Sequence, residues 1–84
     1  MTREELAELN PSALMADGFG DALIGAVQRC GLGPVALYSQ AKCIKILMER
    51  DKMDYAEAME FFEFNTLGAY MGEYTPMYLM DDNE

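Results

Sequence analysis

Two apolar runs of strand length, separated by Gly31-Leu32-Gly33-Pro34, restrict most strongly what this chain can fold into. The first spans Asp21 to Cys30 and the second Val35 to Tyr38. The first suits two structures. As a buried helix it would start at Asp21 as N-cap and stop at Gly31. As a central strand it would place Leu23, Ile24, Ala26 and Val27 in an apolar run covered on both faces. Gly25 weighs for the strand, because glycine inside a helix costs about 0.5–1 kcal/mol relative to alanine. The glycine-proline segment then turns the chain back, and a hairpin is the economical reading.

The remaining elements follow from periodicity and caps. Ser39 is a good N-cap for a helix from Gln40 to about Arg50. Its apolar side carries Cys43, Ile44, Leu47 and Met48, with Ile46 at the edge. Lys42, Lys45 and Glu49 share the other side, where Lys45 and Glu49 are spaced to pair. Asp51-Lys52 breaks this helix. Asp54 and Glu57 form a capping-box-like start to another, which runs to about Thr66. Its core face is read as Tyr55, Ala58, Met59, Phe62 and Thr66. Gly68 and Gly72 end the helical region. Thr75-Pro76 leads into a short strand, Met77 to Met80, with Pro76 at its start or at a sheet edge.

At the other end, Thr2 and Glu5 form a capping box for a short helix ending near Asn10. Pro11 to Ala16 is expected to add one or two helical turns before Gly18, or to hang as a loose arm. The chain therefore reads as α+β: a small three-stranded, mainly antiparallel sheet, a helical hairpin packed on one face, and a short N-terminal helical arm. Residues 1–18 form the arm, 19–80 a single domain and 81–84 a frayed acidic tail.

Charge narrows the function. The net charge is −9, and every cation except Arg3 lies between Ala22 and Lys52. Direct binding to a nucleic-acid backbone would meet repulsion, and Lys42, Lys45 and Lys52 form too small a cluster to offset it. Acidity of this size serves solubility, or it complements a basic protein surface. There is no histidine, so the usual catalytic base is missing. Glu57, Glu60 and Glu63 spread over about 120° of a helix, a poor arrangement for a shared ion. Cys30 and Cys43 are read as reduced core residues. The expectation is a non-enzymatic protein with no catalytic residue, no metal and no cofactor. No apolar run approaches the ~18 residues of a membrane span, and the acidic start is unlike a signal peptide, so a cytosolic, soluble protein is expected.

Binding signals are better. Phe64 falls among Glu57 and Glu60 where the helix should face water, unless the helix ends early and turns Phe64 inward. An aromatic ringed by acids has the make-up of a protein-binding patch. Tyr70 and Tyr74, with Glu73, sit on a Gly-containing turn that can project as a contact loop. The candidate contact set is Glu57, Glu60, Phe64, Tyr70, Glu73 and Tyr74.

A pattern of residues adds a family resemblance: Asp17-Gly18-Phe19, Ala22-Leu23-Ile24-Gly25, Tyr38 before a helix, Glu63-Phe64-Asn65, Gly68-Ala69, Gly72-Glu73 and Thr75-Pro76. It resembles a family of small proteins encoded by tailed bacteriophages and prophages. The resemblance covers residues 16–80 and is most specific over 63–78. Gly20 and Ser39 depart from it, since acids are common at those positions in the family. It implies phage origin, action in the host bacterial cytoplasm and no catalytic residues. By class analogy, a small acidic phage protein looks like the inhibitors of host defence, anti-CRISPR proteins among them. Such a protein would dock its acidic, aromatic face on a basic surface of a host protein or nucleoprotein complex and block nucleic-acid or effector binding. The alternative is a homo-oligomeric phage structural or assembly accessory protein, burying its exposed aromatics and the edge strand near Pro76 against a copy of itself.

Overall fold

The computed structural model describes residues 1–69 and 71–81. Its elements in chain order are α1 (Arg3–Leu9), a 3-10 turn (Gly20–Ala22), β1 (Leu23–Arg29), β2 (Leu32–Ser39), α2 (Gln40–Arg50), α3 (Tyr55–Phe61), a π-helical segment (Phe62–Leu67) and β3 (Met77–Leu79). This is the α+β architecture with a mostly antiparallel three-stranded sheet. The run after Asp21 is a strand, and Gly25 lies inside it.

β1 and β2 form the hairpin, with Leu23 opposite Tyr38 and Val27 opposite Val35. β3 lies on the other side of β2 and runs parallel to it, pairing Leu37 with Met77, Tyr38 with Tyr78 and Ser39 with Leu79. A parallel return needs a long crossover, and α2, α3 and the π segment supply it. β3 reaches only the last three residues of β2. Pro34, which has no N–H to donate, therefore sits where β2 has no strand on that side. The Asn10 side chain serves there instead: its Nδ2 donates to the Pro34 carbonyl at 2.8 Å.

One core binds every helix to one face of the sheet. It joins Leu6 of α1, Cys43, Ile44 and Leu47 of α2, Ala58 of α3 and Phe62 of the π segment to Leu23, Ala36 and Tyr38 of the sheet. At its centre the Tyr38 ring stacks on Tyr78 with centroids 5.8 Å apart, and Phe62 meets Tyr78 edge-on at 5.2 Å. Such aromatic pairs add about 0.5–1.5 kcal/mol each beyond their buried area. The Tyr38 hydroxyl accepts from the Ala16 N–H at 2.9 Å. A buried donor left without a partner costs about 1–3 kcal/mol, so this bond fixes the path of the chain after α1.

The segment after α1 differs from the helical expectation. Pro11 and Ser12 form a turn and residues 13–16 take no regular structure. Asn10 is the reason: its Oδ1 accepts from the Ser12 N–H at 3.1 Å, which turns the chain away from a helix. Nor does this part hang loosely, because Leu6 and Ala13 are both buried in the common core. A clip holds the next loop. Arg50 donates to the Gly18 carbonyl at 2.9 Å and lies over the Phe19 ring at 5.5 Å. Gly18 takes φ 85°, where any side chain would be strained, and a Cβ there would come within 2.6 Å of Arg50 Nη1 and disturb the clip.

Asp81, expected at the head of a frayed tail, is an ordered part of the fold, while residues 82–84 of that tail lie outside the described residues. Ser39 caps α2 by accepting from the Lys42 N–H at 3.1 Å. Asp81 accepts from the Ala41 N–H at 2.9 Å and from the Ser39 hydroxyl at 2.5 Å. The end of β3 thus completes the cap of a helix that starts where β2 stops, and a carboxylate is favoured at that helix end. Cys30 also departs from expectation. It occupies the two-residue turn of the hairpin and is exposed, whereas Cys43 is buried. Lys45 and Glu49 do not pair: among the described residues the one ion pair is Arg50–Asp51 at 3.2 Å.

Two predictions follow from this packing. The hydrogen bonds from Ser39 and Ala41 hold the Asp81 carboxyl below its ordinary 3.8. The stability it contributes is complete above that value and is lost as pH falls through the lower folded one. Asp81→Asn is expected to lower stability at neutral pH by about 0.3–1 kcal/mol, the worth of a carboxylate charge at a helix N-terminus. In urea unfolding, the difference from wild type should close on acidification below pH 3.8. The Cys43 thiol is pushed up to about 12 by burial and by the nearby Asp81 charge. A thiol reagent should therefore label Cys30 in the native protein and Cys43 only on unfolding; fast native labelling of both would contradict this core.

Candidate functional site

α3 begins with the expected capping box. Asp54 Oδ1 accepts from the Glu57 N–H at 2.8 Å, and Glu57 Oε1 accepts from the Asp54 N–H at 3.1 Å. Ala58, Phe62 and Thr66 form the buried side, four residues apart each time. Met59 is half-buried. Tyr55, expected in the core face, is 60% exposed instead. It is the first residue of α3, directly after the cap, and the core contacts begin one turn further on.

After Phe61 the helix widens into a π turn. A π segment carries its bonds from residue i to i+5 and leaves a local mismatch in the carbonyl ladder. Two residues accommodate it here. Asn65 donates its side-chain amide to the Phe61 carbonyl at 3.3 Å. Gly68 lets the chain pass close to the helix end, since a Cβ would stand 3.0 Å from the Glu63 carbonyl oxygen and 3.2 Å from that of Phe64. Within this wider turn Thr66 lies over the core and Phe64 points outward. Phe64 is 78% exposed, which removes the alternative that it folds inward.

Phe64 stands between two shallow grooves. One, of about 400 Å³, is lined by Met53, Asp54, Glu57, Glu60, Phe61 and Asn65 along with Ala56 and Phe64 itself. The other is lined by Ala56, Met59, Glu60, Glu63 and Phe64. Ala56, Glu60 and Phe64 form the ridge that both share. The arrangement is an aromatic prominence flanked by carboxylates, with grooves able to receive apolar side chains at either flank.

Of the candidate contact residues, Glu57, Glu60 and Phe64 are brought together on this surface. Glu73 and Tyr74 are not part of it. The Glu73 carbonyl accepts from the Arg29 guanidinium, and the Tyr74 carbonyl accepts from the Leu14 N–H at 3.2 Å. Tyr74 is half-buried beside Gly33, so it packs the hairpin end of the sheet and does not project. Its segment is pinned because the backbone there supplies acceptors to two other elements. Tyr70 lies outside the described residues. The groove residues Phe61 and Asn65 escaped the sequence reading. Phe61 falls at the border between the two sides of the helix, and the role of Asn65 depends on the π turn.

Among the described residues no cluster of three or more His, Cys, Asp or Glu is placed to hold a metal ion. No helix among them is long and apolar enough to cross a membrane. Comparison with models of protein families, with curated proteins and with solved structures finds no match.

Phe64 and Phe62 are two residues apart and have opposite roles, which unfolding can separate. Phe64→Ala is expected to change stability by no more than about 0.5 kcal/mol, as for other exposed sites. Phe62→Ala, at a fully buried position, is expected to cost about 3–5 kcal/mol. Urea denaturation of the two variants checks both; a large loss for Phe64→Ala would return that ring to the core.

Proposed function

We propose that this chain is a non-enzymatic binding protein that docks the outer face of α3 on a basic protein surface. The observation that carries the reading is the exposed Phe64 ring set among the Glu57, Glu60 and Glu63 side chains. Buried aromatic anchors supply most of the energy of many interfaces. Surrounding carboxylates steer a cationic partner and set the salt dependence. The chain's overall charge of −9 acts in the same direction at longer range.

The bacteriophage resemblance supplies the kind of partner. We propose a nucleic-acid-handling defence complex in the host bacterial cytoplasm, whose basic channel or effector surface this face would occupy. The protein would then act by exclusion, as an inhibitor of the anti-CRISPR kind, and would touch no nucleic acid itself.

The test is affinity capture from bacterial lysate at low salt, followed by affinity measurement with the recovered complex. Charge reversal is best placed at Glu60 and Glu63. Glu57 also completes the capping box of α3, so its reversal would mix a folding effect with a binding effect. Glu60→Lys with Glu63→Lys should weaken binding and reduce its loss with added salt. Phe64→Ala should cost at least about 1–2 kcal/mol of binding. Affinity unchanged by all of these would sink the proposal.

A further inference from the structure

The groove lined by Met53, Phe61 and Phe64 offers hydrogen-bond acceptors and, among the described residues, no free donor. Its polar side chains are Asp54, Glu57, Glu60 and Asn65. Asp54 and Glu57 each use one carboxylate oxygen in the capping box of α3. The Glu60 carboxylate enters no ion pair among the described residues. Asn65 is oriented by its own bond. A backbone carbonyl only accepts, so the amide nitrogen faces that of Phe61 and Oδ1 is left to accept. The apolar side of the groove is open, since Phe64 is exposed.

An occupant that matches this lining is cationic, flat and made of donors only. We infer that the groove takes an arginine side chain of the partner, with its guanidinium over the Phe64 ring and its N–H groups on the Glu60 carboxylate and Asn65 Oδ1. This deepens the proposed docking of α3 and rests on it. Arginine holds its donors in one plane, has no acceptor, and stacks that plane on aromatic faces. Lysine carries the same charge as a compact, strongly hydrated point, which suits the acids but not the ring. The chain already contains one arrangement of this kind. Arg50 lies over the Phe19 ring at 5.5 Å, donates to the Gly18 carbonyl at 2.9 Å and pairs with the Asp51 carboxylate at 3.2 Å. Ring, carbonyl oxygen and carboxylate recur as Phe64, Asn65 and Glu60, and no arginine of this chain lines that groove among the described residues. The internal set holds an arginine, and the groove repeats its chemistry on the surface.

NMR titration of the isotope-labelled chain with two end-blocked peptides, tetra-arginine and tetra-lysine, tests this. Both carry the same charge, so attraction to an acidic protein is common to them. Tetra-arginine should bind about two- to fivefold tighter, the worth of an exposed contact between a cation and an aromatic face. It should shift the amides of α3 and the π segment. Phe64→Leu keeps the site apolar and should remove the preference while leaving the affinity for tetra-lysine unchanged. Glu60→Gln should weaken both peptides by about twofold, the scale of an exposed ion pair. Glu8→Gln, which removes the same charge from the exposed side of α1, should change both by less. Equal affinities of the two peptides at α3 overturn the inference and leave the docking of a basic surface standing. A preference for arginine that Phe64→Leu retains also overturns it. If neither peptide shifts the α3 amides, the inference and the docking reading fall together.

Discussion

The stacking of Tyr38 on Tyr78 is the contact on which the rest of the structure depends. It forms because β3 pairs parallel to β2 and sets the two tyrosines side by side on the helical face. Phe62 then closes on Tyr78 from the π segment, and the Tyr38 hydroxyl receives the Ala16 N–H from the N-terminal segment. Three distant parts of the chain thus converge on one pair of rings. Burial explains why both phenols resist ionisation, with Tyr78 pushed up to about 12. The residues following each ring continue the same junction. Ser39 caps α2, and Asp81 completes that cap from the end of β3. Sheet pairing, helix start and core closure are therefore one cooperative unit, and loss of β3 would expose a ring, a helix end and an edge together.

Much of this fold was legible because the signals were local. Gly25 and the Gly31–Pro34 segment identified a hairpin, and the structure has it, but the turn is Cys30–Gly31 and Leu32, Gly33 and Pro34 belong to β2. The 3.6-residue spacing of Cys43, Ile44 and Leu47 identified the buried side of α2, and those three are its innermost residues along with Ala41. Both capping boxes were readable, because a cap is a relation over three residues. What escaped the reading was long-range. Asp81 looks like the start of a tail until β3 brings it to α2, 40 residues earlier in the chain. Asn10 looks like a helix stop until its amide reaches Pro34. Cys30 resembled a core residue by type, yet the two-residue turn of the hairpin places it in solvent.

The candidate site was legible in half. Phe64 was suspect because ideal helical geometry placed it among acids, and the acids are there. The π turn that carries it was hidden. A π turn has no sequence signature comparable to a cap, and it depends here on Asn65 and Gly68 serving backbone groups that a plain α-helix would not present. Such insertions recur at functional sites because they re-aim a side chain without moving the helix that carries it. Tyr74 and Glu73 lie on a different part of the surface. Their glycine-flanked turn looked like a projecting loop, but its carbonyls are occupied by Arg29 and Leu14, and the segment is held to the sheet.

The use of the cations explains why the surface remains so acidic. Arg50 serves the Gly18 carbonyl and the adjacent Asp51, Arg29 serves the Glu73 carbonyl, and Arg3 meets the Met15 sulfur at 3.2 Å. None of the three neutralises the carboxylates of α3. Arg29 and Arg50 tie backbone segments together, while the α3 acids face solvent. At physiological salt the field of such a face extends about 8 Å before it is screened. It admits cationic partners and opposes another copy of the same chain. A protein with this charge therefore meets a basic partner most readily where its acids surround an apolar anchor, and in the helical layer that anchor is the exposed Phe64 ring.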